Sequence, residues 1–412
     1  MRKLKWLYPG MLVKRWIFLT TVGIILIAMG FAMVISEKTP ENKTFAAFLV
    51  LLGGLIVITG ISRIIKSFVT VVMPERGDQL VDKVYQKRVL EKGPRIVTLG
   101  GGTGLSTLLS GLKEYTSNIT AVVTVADDGG SSGRLREQQN VLPPGDIRNC
   151  LVALADTGPL MERLFQFRFN DGRDLKGHNF GNLFITAMSK VTGDFEQAIK
   201  ASSKVLAIRG SVVPATLTKV VLKALHKDGT ETIGESNIPK KKVPIQKMFV
   251  IPPDSRPTPE ALEAIKKAHA IIFGPGSLYT SIMPNLLISG MHEAIRQSRA
   301  IKIYVCNVMT QAGETDSYRI SEHVKAIIDH TGPGIINYCV ANTGKVPSKL
   351  LQKYKEENAY PVLLVDEEKV KKLGCAVIEA DIINTKNFVR HDSQKLAKII
   401  IDLLAAIKKH NL

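Results

Sequence analysis

Cysteine is scarce. The four residues Cys150, Cys306, Cys339 and Cys375 are scattered over 412 positions with no CxxC and no paired spacing. That excludes a disulfide framework and the usual zinc spacings, and it fits buried thiols in a reducing compartment. Aromatic residues make up only 6% of the chain. No Lys/Arg stripe is interleaved with them, so a net charge of +18 does not by itself point to nucleic acid. The tight basic run, Lys240 to Lys242, reads as a solvated loop. There is no H-E-x-x-H and no Walker lysine, so no metalloprotease or P-loop constellation emerges. Apolar residues are plentiful at 45%, with 22% charged, which excludes a disordered or collagen-like chain.

The positive charge is unevenly spread. Residues 1–93 carry 14 basic and 6 acidic side chains, whereas residues 94–412 carry 41 and 31. The denser segment holds two uncharged apolar runs, Trp16 to Ser36 and Thr44 to Ser62. Each has the roughly 20 residues that a helix needs to cross a hydrocarbon core of about 30 Å. Backbone groups in lipid must be paired internally, so both runs are expected to be helical, joined by the short connector Glu37 to Lys43. A signal peptide would have a shorter core and a cleavage site, and no second span would follow at once. Arg2, Lys3, Lys5, Lys14 and Arg15 precede the hairpin, and Arg63 and Lys66 follow it. The positive-inside rule therefore sets both ends in the cytoplasm, with Trp6, Tyr8 and Trp16 at the inner interface.

The expected organisation is a multi-pass membrane hairpin over 1–66, with helices at about 16–36 and 44–62, then a juxtamembrane linker over 67–93 and a large domain over 94–412. In the linker, Val81, Val84, Tyr85 and Val89 share one helical face.

From Pro94 onward the pattern is that of an α/β domain. The β-rich run Arg95 to Leu99 leads into Gly100-Gly-Gly-Thr-Gly104 and then into a helix-spaced run to Lys113. Strand, glycine loop and helix begin a Rossmann-like, doubly wound, mostly parallel sheet. Gly101, Gly102 and Gly104 let a ligand approach the backbone, the helix start suits phosphate, and Thr103 adds a hydroxyl. The loop matches neither the dinucleotide fingerprint nor Walker A.

A second strand, Ile119 to Ala126, runs into Asp127-Asp128 and a Gly-Ser-rich stretch ending at Arg134 to Arg136. This pair suits ribose hydroxyls, a base edge or Mg²⁺. Adjacent residues on a strand face opposite ways, so one of the two is expected to be structural. Asp146 in Leu142-Pro-Pro-Gly-Asp-Ile-Arg-Asn149 reads as a helix N-cap. His178, Asn179 and Asn182 cluster at another helix start, where His178 is either an acid–base group or a residue ordering the loop. The strand Ala270 to Phe273 leads into Gly274-Pro-Gly276-Ser277, and the strand Ile301 to Cys306 ends in an amide-rich loop to Asp316. The stretches Val205 to Lys219 and Thr230 to Val250 read as a small β-rich insertion. Thr258 to Ala268 reads as a helix with Pro259 at its first position.

Seven ordered segments carry a family resemblance: GGGTGLSTLLSGLK, TVADDGGSSGRLR, LPPGDIRNCLVALAD, GHNFGNLF, MSKVTGDFEQAI, FGPGSLYTSIMPNLL and VCNVMTQAGETD. The chain resembles the YvcK family of gluconeogenesis factors, within the fold group of 2-phospho-L-lactate transferase (CofD-like), from about Arg95 to its end. That resemblance implies a protein that binds a UDP-sugar, notably UDP-N-acetylglucosamine. It also implies links to cell shape, peptidoglycan supply and growth on gluconeogenic carbon, with envelope-synthesis proteins as partners and self-association allowed. By the same resemblance, Gly101, Gly102, Thr103 and Gly104 face a nucleotide diphosphate. Asp127, Asp128, Asn149, Asn179, Asn182, Gly276 and Ser277 line the crevice, Tyr354 stacks on uracil, and Arg390 meets a phosphate. Two roles stay open. In the first, the protein is a ligand-sensing regulator that needs no cofactor. In the second, it is a transferase that moves a phospho-group to an acceptor hydroxyl with Mg²⁺ on Asp127 or Asp128. A nicotinamide-dependent oxidoreductase is disfavoured by the wrong fingerprint.

Overall fold

A computed structural model of the chain describes residues 14–36, 40–72, 88–363 and 366–410. The chain divides into two compact units, the first ending at Arg88 and the second beginning at Val89.

The first unit is a pair of helices, α1 (Lys14–Ser36) and α2 (Pro40–Val72). Both are long and apolar enough to cross a membrane, judged by length and composition. They pack through small residues. A methyl group on Gly23 would lie 2.8 Å from the Gly53 carbonyl oxygen, and one on Gly53 would lie 2.6 Å from that of Gly23. Gly30 sits as tightly against the Ala46 carbonyl. Only glycine allows backbones this close, and such contacts replace the missing hydrophobic drive between helices in lipid. The outward faces stay apolar, with Phe18, Ile35 and Leu51 exposed. At the basic end the Arg15 and Arg63 guanidinium groups lie 4.9 and 5.4 Å from the Trp16 ring, joining the two helices by cation–π contact. Helix α2 runs ten residues past the expected end at Ser62, because neither proline nor glycine interrupts the chain before Pro74. The expected helical face at Val81, Val84 and Tyr85 falls outside the described residues.

The second unit is built on one parallel sheet. Its strands are β1 (Ile96–Gly100), β2 (Ile119–Val123), β3 (Ser211–Pro214), β7 (Ala270–Phe273), β8 (Ile301–Val305), β9 (Tyr338–Asn342) and β10 (Ala376–Ala380). They lie in the order β10-β9-β8-β7-β1-β2-β3. Every pairing is parallel, so the sheet is more uniform than the mostly parallel one expected. Helices cover both faces, which is why β1 and β7 are buried at every position and read as continuous apolar runs. Helix α3 (Gly102–Leu112) buries Leu105, Leu108, Leu109 and Leu112, a spacing that sets one face on the core.

The strands β4 (Val221–His226), β5 (Glu231–Ile233) and β6 (Ile245–Ile251) form a separate antiparallel sheet in the order β5-β4-β6. This is the expected insertion, but the stretch Val205 to Lys219 lies outside it, and β4 falls between the two expected stretches. Residues 211–214 join the main sheet as an edge strand, because Ser211 to Pro214 pair in parallel with Thr120 to Val123. A short hairpin of β11 (Ile383–Asn384) and β12 (Arg390–His391) precedes the helix Ser393–His410.

Two local expectations change. Asp146 is not an N-cap, since the helix Gly145–Leu154 starts one residue earlier with Pro144 at the cap, and Asp146 falls in its first turn. The helix Pro159–Gln166 was not foreseen; its Phe165 is buried while Leu160 is exposed. The helix Pro259–Lys267 is as expected, with the Thr258 hydroxyl accepting the Ala261 N–H at 3.4 Å.

Candidate functional site

The chain turns in opposite directions across the sheet from β1 and β7, and this is where an open parallel sheet leaves a crevice beyond its carboxyl ends. A cavity of about 550 Å³ opens there. The loop after β1 forms one wall. Gly101 is extended at the cap of α3 and has no side chain to offer the first turn, where Thr103 stands exposed. Gly101 has no room for a Cβ, which would overlap the Asp146 carboxylate and lie 2.7 Å from the Thr124 methyl. A Cβ on Gly104 would lie 2.5 Å from the Pro275 carbonyl, so the loops after β1 and β7 touch.

The second wall is a chain of amides. Gln311 Nε2 donates to Ser277 Oγ at 2.5 Å, and Asn307 Nδ2 donates to Gln311 Oε1 at 3.2 Å. The third wall comes from far along the chain. Tyr354 packs against Val308, Met309, Ile383 and Val389, and its hydroxyl accepts the Val389 N–H at 3.1 Å. Arg390 is exposed on β12, its guanidinium 5.3 Å from the Phe388 ring.

Gly101, Gly102, Thr103, Gly104, Gly276, Ser277, Tyr354 and Arg390 therefore line a single cavity. Asp127, Asp128, Asn149, Asn179 and Asn182 do not. The two aspartates lie beyond β2, which ends at Val123, and each has its own backbone partner. Asp127 accepts the Gly129 N–H at 2.9 Å and Asp128 accepts the Ser236 N–H at 2.9 Å. Asn149 Oδ1 accepts from the Arg148 guanidinium at 2.6 Å. Asn179 caps the helix Phe180–Thr192 by accepting the Asn182 N–H at 3.2 Å, while Asn182 Oδ1 is buried without a partner. His178 Nδ1 lies 3.1 Å from Ser131 Oγ and the next backbone N–H also reaches that hydroxyl, so the ring orders the loop. Burial, then Arg134 and Arg168, lowers its pKa.

Beside the glycine loop lies a group of carboxyls, of which local sequence marked Asp127 alone as a site residue. Asp146 is pushed up to about 7 by burial and then by Asp127, against the pull of the Gly102 N–H and Arg148. Glu235, from the turn after β5, is pushed up to about 8 by burial and then by Asp127, Asp146 and Asp128. Asp127 itself is raised by burial, although the Gly129 N–H and Ser132 oppose the rise. Glu314 is pushed up to about 7, chiefly by burial, and its Oε2 has no partner. Among the described residues no three carboxylate, imidazole or thiolate groups converge as ligands for a metal ion. Glu235 sits in a turn with no motif around it and enters the site only through the fold, whereas Gln311 lies within the segment VCNVMTQAGETD without being singled out by it.

Residues 96–383 match the family model described as 2-phospho-L-lactate transferase CofD. The gluconeogenesis factor of Bacillus subtilis is 50% identical over 312 residues, covering 76% of this chain and 98% of that protein. The chain belongs to the YvcK family of gluconeogenesis factors. A relative from Clostridium acetobutylicum is 46% identical over 418 residues and covers 98% of this chain and 92% of that one, so the similarity there extends through the N-terminal helices. A solved structure of a Bacillus halodurans protein, 49% identical, superposes with a TM-score of 0.74 over 75% of this chain and all of that one.

Proposed function

We propose that this chain binds a UDP-sugar, UDP-N-acetylglucosamine, in the cavity between β1 and β7. It would serve as a regulator of cell shape and peptidoglycan synthesis during gluconeogenic growth. The observation that carries the reading is the division of one cavity into two chemistries. Part of its lining is the glycine loop, the start of α3 and Arg390, which suit a diphosphate. Another part is Tyr354, Val308, Met309 and Val389, which suit the face of a base. A cavity of about 550 Å³ is within the usual range for a small-molecule site. No cofactor is required by this reading.

The hairpin α1–α2 supports anchoring in the cell membrane as a multi-pass segment, with the N-terminus and the large domain on the cytoplasmic side. Its exposed apolar faces and its basic ends around Trp16 favour this. Envelope-synthesis proteins are the expected partners.

One observation favours a second reading, a transferase of the CofD type. Asp127 raises the pKa of Asp146 beside the glycine loop, a repulsion that a cation would relieve. Mg²⁺ is commonly held by one or two carboxylates with phosphate oxygens and water, so these two residues would hold it. The ion would neutralise charge on the phospho-group, while the loop and Arg390 would position it. Incubating the full chain with Mg²⁺, UDP-N-acetylglucosamine and candidate acceptor alcohols, followed by mass spectrometry, separates the two. The regulator reading expects unchanged ligand; turnover establishes the transferase.

A further inference from the structure

His391 lines the cavity next to Arg390. A histidine beside an arginine at a phosphate site is readily taken for a second cation, but the bonding of this ring points elsewhere. Nε2 lies 3.1 Å from the carbonyl oxygen of Cys306, the residue after β8. A carbonyl can only accept, so Nε2 carries the ring's proton and Nδ1 is left as a lone-pair acceptor. Burial holds the ring down at about 4, so it stays neutral at cellular pH. Nδ1 makes no hydrogen bond with the described residues, nor is it among the polar atoms sealed from solvent without a partner. It is therefore neither sealed nor bonded, on a ring that borders the cavity. The strand β12 that carries it packs against α3, and the apolar residues Val308, Val389 and Tyr354 share the same cavity. The ring thus borders a cavity whose lining holds both the anion-binding loop and these apolar residues.

We infer that His391 determines which base the site accepts, its Nδ1 receiving a hydrogen bond from the imide N–H of a uracil seated against Tyr354. This rests on the UDP-sugar reading and deepens it. A uracil offers an N–H donor on its ring edge, whereas a cytosine offers a lone pair at the same position and would set two acceptors face to face. Leaving a buried acceptor without its donor costs about tenfold in affinity or more. The diphosphate, by contrast, gains nothing from a neutral ring, which leaves Arg390 as its cationic side chain in this wall.

The test is calorimetry on the detergent-solubilised full chain with UDP, CDP, N3-methyl-UDP and 2′-deoxy-UDP, for the wild type, His391→Ala and His391→Gln. Thermal melting confirms that each variant is folded. Glutamine can still donate to Cys306 and present an oxygen, so it keeps the test open if alanine disturbs the hairpin. The expected result is that the wild type prefers UDP to CDP and to N3-methyl-UDP by about tenfold or more. His391→Ala should lose about that factor for UDP and bind N3-methyl-UDP equally well, and His391→Gln should recover part of the preference. A folded His391→Ala that keeps the wild-type preference for UDP over N3-methyl-UDP overturns the inference. So does a wild type in which 2′-deoxy-UDP, and not N3-methyl-UDP, is the weak ligand. A wild type that binds no uridine compound at all overturns the UDP-sugar reading together with it.

Discussion

The Asp128 carboxylate accepts the backbone N–H of Ser236 at 2.9 Å, tying the loop after β2 to the turn after β5. Gly234 leaves room for this approach, since a Cβ there would lie 2.7 Å from the other Asp128 oxygen. The small antiparallel sheet is thereby fastened where Glu235 faces Asp127 and Asp146. Asp128→Ala is expected to destabilise the chain by about 1–2 kcal/mol, the usual cost of losing a charge-assisted hydrogen bond. Amide exchange at residues 234–237 should quicken more than in the main sheet. Uniform loosening, or none, would remove this role for Asp128.

The raised carboxyls set the sign of a pH effect. Asp146 at about 7 and Glu235 at about 8 lie above their ordinary values of 3.8 and 4.5, so the folded chain holds protons that the unfolded chain releases. Their stabilisation is complete below about pH 4 and is lost as pH rises through 7 and 8. Denaturant midpoints should therefore fall between pH 6 and pH 9, in a range where ordinary carboxylates are already ionised. Glu235→Gln should flatten that slope and stabilise the chain by about 1–2 kcal/mol at pH 9. A midpoint equally steep in the variant contradicts the assignment.

Two substitutions probe the anion end of the cavity. Arg390→Ala should weaken UDP-N-acetylglucosamine binding by about 10–100-fold, in line with a hydrogen-bonded ion pair. Thr103→Ala should cost less, about threefold to tenfold, because it removes one hydroxyl and leaves the backbone N–H groups in place. Affinities that match the wild type in both would move the phosphates elsewhere.

Anchoring is tested separately from ligand binding. The full chain should stay with the membrane pellet after carbonate extraction, and a chain lacking residues 1–66 should be released and still bind nucleotide. Release of the full chain would contradict a spanning hairpin. Gly53→Leu should loosen the α1–α2 contact by about 1–3 kcal/mol, the range for overpacking, and make the hairpin more susceptible to protease in detergent.

The parts of the site that are local in sequence could be read from it. Gly101 to Gly104 and Gly276-Ser277 each follow a short β-rich run and precede a helix, so strand, loop and helix declare themselves within a few residues. The membrane-length runs are equally plain, because they depend on composition alone. Tyr354 and Arg390 came from the family resemblance, since no local pattern links them to a glycine loop more than 200 positions away. Asp146 was legible as a helix-start residue and not as a buried acid. Its burial depends on Gly101 leaving space above it, a fact of packing. Glu235 carries no signal of its own, and Gln311, though inside a family segment, is not singled out by it. The order of the parallel strands and the bond from Asp128 to Ser236 bring them in, and neither is a property of a short segment.

The central claim is that this cavity holds a UDP-sugar. Isothermal titration calorimetry of the purified full chain with UDP-N-acetylglucosamine tests it most directly. The account predicts saturable heat with one site per chain, displaced by UDP and greatly weakened in Arg390→Ala. No heat with UDP-N-acetylglucosamine, and no competition from any other UDP-sugar, would contradict it.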